Sequence, residues 1–314
     1  VVAKPAGAKI GETGYWCLNA AVAAVEDGGV ITLVADEIFT ETNRCDNGGW
    51  WDGLAYSGDK SFTIDLGGHT IKQDGSLNDY LMWVKNDGAK ANTITLKNGT
   101  MDAGTTAYSA FVTASSNKQT ITVNLENINL INNISNGAVV KARGGSVLNV
   151  KAGTVITGKN SYVGIEAVGN NTVVNVYDGA KIYQNGTSSY VGAIIGASYN
   201  ATLNIYGGEG KSAKCGIIVM STGATINVSG GEWTANGDGT VSNDNAGVLV
   251  SQNNRYESGW ACKSILNVTG GTFKGGYNGY GMGPGVEADD AQINIKGGNF
   301  NANPANYVVA GYEA

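Results

Sequence analysis

Histidine is nearly missing from this chain: among 314 residues the only one is His69. With a single imidazole and no CxxC spacing among the four cysteines, a zinc site is not expected. Charge is also scarce, at 15% of residues, and the net balance is −6. No basic stripe is available to neutralise phosphates, which argues against a nucleic-acid partner. No apolar run approaches the roughly 20 residues of a membrane span, and no signal peptide remains at the start. Proline is down to 3 residues, whereas glycine reaches 48.

What the chain does contain is a phrase that keeps returning. An apolar–polar–apolar strand is followed by a Gly-rich turn and a bulky apolar residue, as in Thr225–Trp233, Leu266–Phe273 and Ile293–Phe300. More diverged copies are Thr63–Ile71, Thr93–Met101, Leu148–Ile156 and Val174–Ile182. Aligning on the polar residue gives Thr32, Asp65, Thr95, Asn124, Asn149, Asn175, Asn204, Asn227, Asn267 and Asn294, spaced by 23 to 33 residues with one interval of 40. Such a period, with strand chemistry inside it, marks a solenoid whose repeats bury their apolar sides against their neighbours. The seven asparagines of that run, Asn124 to Asn294, are expected to face inward and bond to one another along the stack. Between the copies lie short apolar strands beginning at Ala138, Gly164, Ala193 and Gly216, each 11 residues before an aligned asparagine.

These features predict an all-β, right-handed parallel β-helix of about ten coils, forming one domain over 1–314. Residues 1–30 would form an N-terminal cap, 31–300 the coils and 301–314 the start of a closing segment. Leu18, Ala21, Val22 and Val25 recur at i, i+3, i+4 and i+7, so 15–27 reads as an amphipathic helix over the open end of the rod.

Residues two beyond the start of each second strand are Trp83, Val112, Val140, Glu166, Ile195, Ile218, Leu249 and Glu287. If Val139, Ile165, Ile194, Ile217, Val248 and Val286 point inward, alternation puts the first set outside as an apolar stripe with two carboxylates. A register slipped by one residue would make the stripe core instead. The four cysteines are expected to pair as Cys17–Cys45 and Cys215–Cys262, with buried thiols as the alternative.

The segments Ala8–Glu37 and Phe62–Ile71 resemble the leading module of secreted β-helix proteins of Gram-positive, often gut-dwelling, bacteria. Gly297–Ala314 resembles the closing module of the same group, an adhesin-type or pectate-lyase-like β-helix class. The resemblance implies a secreted or wall-associated, extracellular protein, of which this chain would be a fragment.

Long loops on a rigid rod are where function tends to sit. The insertion within 235–262 and the following Gly/Tyr-rich loop supply Arg255, Tyr256, Trp260, Tyr277, Tyr280, Glu287 and Asp289. Aromatic faces beside carboxylates and amides describe a sugar site. A second candidate is the loop carrying Trp50 and Trp51. The leading expectation is therefore a surface binding or adhesion module for glycans or a host protein. The alternative is a glycoside hydrolase or polysaccharide lyase with Asp244, Glu287 and Asp289 as candidate catalytic carboxylates, and the third is a structural stalk. Of local carboxyl pairs, Asp52 with Asp59 is the other possibility. Lys141 or Arg143 could serve a lyase as base, but no acidic cluster adjoins them in the sequence. No cofactor is implied, calcium being the sole candidate.

Overall fold

The phrase Leu-Asn-Val places two branched apolar side chains on one face of a strand and an amide on the other. Stacked coil upon coil, that pattern makes a sheet with a dry inner and a polar outer face. The computed structural model describes residues 6–46, 48–115, 119–135, 137–185, 192–219, 223–236, 249–251, 264–275, 281–282, 292–301 and 308–312. It is a parallel β-solenoid. A 20-stranded sheet carries the repeated phrase on its two arms, and a 9-stranded parallel sheet forms the remaining side. Each strand pairs with its counterpart one coil away, as Asn175 does with Asn149 and with Asn204. The solenoid makes about seven turns, fewer than the ten coils expected.

The interior is one continuous apolar cluster running from Ala8 and Leu18 to Ile293 and Ile295. Leu148, Val150, Val174, Val176, Leu203 and Ile205 are fully buried in it. The bulky residue closing the phrase is accommodated by the coil before it. Trp233 is 1% exposed, and its partner in the ladder is Gly210. A Cβ on Gly210 would lie 2.5 Å from the Trp233 ring, so only glycine leaves room for the indole.

The N-terminal helix forms as expected but is shorter, Leu18–Ala24. Leu18, Ala21, Val22 and Val25 are all buried, so the periodicity read in the sequence is the face that seals the rod. Cys17 caps it: the Cys17 Sγ accepts a hydrogen bond from the Ala20 backbone N–H at 3.4 Å.

Three expectations are corrected. The asparagines bond along the stack, but on the outer face. Asn149, Asn175, Asn204, Asn227, Asn267 and Asn294 each donate through Nδ2 to the Oδ1 of the preceding ladder residue at 2.9–3.0 Å, and each is only half-buried. The apolar neighbours on either side claim the interior, so alternation turns the amide out. Secondly, Thr32 and Asp65 do not belong to that column. Asp65 pairs with Lys97, whereas Thr95 pairs with Thr63 and Thr63 with Val30. The first two copies are therefore shifted by two residues.

Thirdly, the disulfides do not form. Cys17 and Cys45 are both thiols. The first is engaged as the helix cap, and the second donates to Asn19 Oδ1 at 3.6 Å. Cys215 is also a thiol, stacked with Ala138, Val163 and Ala193 in a small apolar column, where burial pushes its pKa upward. Cys262 lies outside the described residues.

Candidate functional site

The nine-stranded sheet is where side chains with chemistry converge, and a kink in its strands decides which ones. Val139 and Val140 both enter the core, as do Ile194 and Ile195. Two consecutive inward residues mean that the chain bends between them and simple alternation resumes only afterwards. The expected outer stripe is thus split. Val140 and Ile195 are interior, whereas Trp83, Val112 and Glu166 stay outside, in register with Lys141. Ile165, Ile194, Val139 and Ile217 are inside as expected. Aligning the coils on Ala138 and Gly164 was one residue out, since Ala138 pairs with Val163 and Val163 with Ala193.

Three outward columns result. One holds Tyr80, Ser109, Ala138, Val163 and Ala193; the second Trp83, Val112, Lys141, Glu166 and Gly196; the third Lys85, Ala114, Arg143, Val168 and Ser198. The floor between the larger side chains is made of small residues. Tyr80 and Arg143 stand on strands flanking Ser109–Ser115, and the Arg143 guanidinium lies 5.6 Å from the Tyr80 ring centroid. The contact spans the intervening strand, and Val112 on its outer face is fully buried. Lys85 Nζ lies 6.0 Å from the Trp83 ring. The Trp83 indole N–H is buried and has no hydrogen-bond partner among the described residues, which is a costly state for a donor.

One coil further, Glu166 is 7% exposed and holds two donors on one oxygen. Lys141 Nζ is 2.9 Å from Oε2, and the Tyr162 hydroxyl donates to the same atom. At the other end of the face, burial raises the pKa of the Asp79 carboxyl, and the positive charge of Arg143 opposes this. Burial likewise raises the Tyr80 phenol. Asp79 and Tyr80 are tied to the Trp50–Trp51 loop. Asp79 N–H donates to the Trp51 carbonyl at 3.4 Å, and Tyr80 N–H donates to Asp52 Oδ1 at 3.0 Å. Arg44 stacks on Trp51 at 3.9 Å, while Trp50 stands 54% exposed.

Several expected site residues are placed by this. Trp51 is half-buried under Arg44, whereas Trp50 stands out in solvent. Asp52 is 1% exposed and occupied by backbone, and Asp59 accepts from the backbone of Ala89 at 2.9 Å; both carboxylates serve the loop. Asp244, Arg255, Tyr256, Trp260, Tyr277, Tyr280, Glu287 and Asp289 lie outside the described residues, as do Val248 and Val286. Tyr80, Asp79 and Tyr162 were missed in the sequence. Each sits at the very start of a strand or just before one, where nothing in the repeat marks it. Lys141 and Arg143 were noted there as isolated bases; the ladder gives them their carboxylate and aromatic partners from other coils. Among the described residues no group of three histidine, cysteine or acidic side chains is placed to hold a metal ion, and no helix is long and apolar enough to cross a membrane. No protein-family model, curated protein or solved structure matches this chain.

Proposed function

We propose that this protein is a binding module of a secreted or wall-associated surface protein, and that it holds glycans on the outer face of the nine-stranded sheet. The observation that carries this reading is the tract of Tyr80, Trp83, Lys85 and Arg143 over a floor of small residues. Aromatic rings offer flat apolar surface to a sugar ring. Arginine and lysine donate to hydroxyl and carboxyl oxygens. A rod of stacked coils holds these groups at fixed spacing, so little ordering entropy is lost on binding.

One observation favours a second reading, a carbohydrate-active enzyme: Lys141, Glu166 and Tyr162 share a single carboxylate oxygen. A hydrogen-bonded acid–base group of that kind can relay a proton. A glycan array combined with reducing-sugar release from the bound glycans tests both. Binding abolished by Arg143→Gln and Trp83→Ala, without product, supports the module. Product formation lost in Glu166→Gln supports the enzyme. Silence in both assays leaves a protein ligand or a stalk.

A further inference from the structure

A groove at one corner of the rod adjoins the edge of that face, where Gly144 follows Arg143. Its volume is about 420 Å³, and it is lined by Ser115, Gln119, Thr120, Gly144, Gly145, Asn170 and Asn171. That volume lies within the range of small-molecule sites. None of the described lining residues carries a charge. The groups present are amides, hydroxyls and bare glycine backbone. Several have unused hydrogen-bonding capacity. The side chains of Gln119, Thr120 and Asn171 make no hydrogen bond among the described residues. Ser115 Oγ accepts from the Ile121 N–H at 3.0 Å, which leaves its proton to donate. Asn170 Oδ1 accepts from Asn200 Nδ2 at 2.7 Å, which leaves its own amide N–H groups.

The corner also ends in an unusual way. Arg143 pairs with Val168 and Val168 with Ser198, so the next residues, Gly144, Gly169 and Tyr199, occupy one column. Gly144 and Gly169 have φ of 64° and 93°, and Tyr199 has φ of 51°. A left-handed backbone costs glycine nothing but is an outlier for a bulky side chain. The chain thus sets an aromatic residue, 46% exposed, where earlier coils use glycine. Such outliers concentrate at functional sites.

We infer that this corner is a subsite for an uncharged saccharide, with Gln119, Thr120, Asn170 and Asn171 bonding its hydroxyls and Tyr199 supplying a ring beside it. Amides and hydroxyls both donate and accept, as sugar hydroxyls do, and the described lining, unlike the Arg143 face, is made of amides, hydroxyls and glycine backbone. The inference rests on the glycan-binding reading for its biological sense but not for its test.

The test is a titration of the full chain, followed by NMR of side-chain N–H groups, with cellotetraose, xylotetraose and maltotetraose as probes up to about 10 mM, above the millimolar affinity expected of a single weak subsite. The Gln119, Asn170 and Asn171 amides should shift and saturate with at least one probe, while the Trp83 indole N–H stays in place. Asn171→Gly keeps the left-handed backbone and removes the amide; it should weaken binding about tenfold. Tyr199→Asn should do the same without lowering the thermal midpoint, since asparagine tolerates this conformation. Movement of the Trp83 signal alone overturns the corner proposal and leaves the face reading standing. Silence of every probe, or unchanged affinity in both variants, also overturns the corner proposal, and the glycan array then decides the face on its own.

Discussion

Lys141 and Glu166 are ladder partners on adjacent coils, and their side chains meet at 2.9 Å on a face where Glu166 is almost wholly enclosed. Such a carboxylate tolerates burial because Lys141 and Tyr162 both bond it. Removing one partner strands a charge, which is far costlier than removing both. Lys141→Met should destabilise these coils by roughly 3 kcal/mol, and Lys141→Met with Glu166→Gln should recover most of that. Because coils open locally, hydrogen exchange of the amides in Ala138–Arg143 and Val163–Val168 is the appropriate measurement. A double variant as unstable as the single one would show that the pair is not the source of the effect.

The asparagine ladder sets a second expectation. Asn204 donates to Asn175 and accepts from Asn227, both at 3.0 Å. Asn204→Ala breaks two bonds on a half-exposed face, at a cost of about 1 kcal/mol in urea unfolding. An inward-facing amide would have cost several times more. A loss of that larger size would contradict the outward orientation.

Gly210→Ala should be more damaging than its single methyl implies. The new Cβ would press on the Trp233 ring at 2.5 Å and on Ile194 at 2.8 Å, in a core with no slack. Overpacking of this kind costs about 1–3 kcal/mol. Gly210→Ala with Trp233→Leu should recover part of it, as read by thermal unfolding; no recovery would mean that the glycine matters for its backbone alone.

Asp79 gives a pH dependence of definite sign. Burial raises its folded pKa above the ordinary carboxylate value of 3.8. As pH rises from 3.8 through the raised folded value, the unfolded chain ionises first, and native stability falls. Asp79→Asn removes that loss, so its stability relative to the parent should be greater at pH 7 than at pH 3 in urea titrations. The reverse ordering would mean that attraction to Arg143 outweighs burial.

The cysteine chemistry is directly countable. All four cysteines of the chain should react with a thiol reagent in denaturant without prior reduction. Cys215 should be the slow one under native conditions, because its thiol is fully buried and its pKa raised. Fewer than four titrating thiols would indicate a bridge.

The sequence alone determined the period, the strand phrase, the parallel stacking and the helix that closes the rod. Those follow from local alternation and from the spacing of Leu18, Ala21, Val22 and Val25, which need no knowledge of distant residues. What the tertiary structure decided is register. Between paired positions Ala138 and Asn149, Val163 and Asn175, Ala193 and Asn204, the connection is one residue longer in the middle coil. A turn absorbs that residue without a trace in the pattern, yet it determines that Lys141 faces Glu166. The kink after Val139 and Ile194 is equally invisible, because two adjacent valines or isoleucines read the same whether one or both turn inward. In a solenoid each coil repeats its own local rule, but the chemistry of a face is set by which residues the stack brings level, and that is a property of the turns summed over coils.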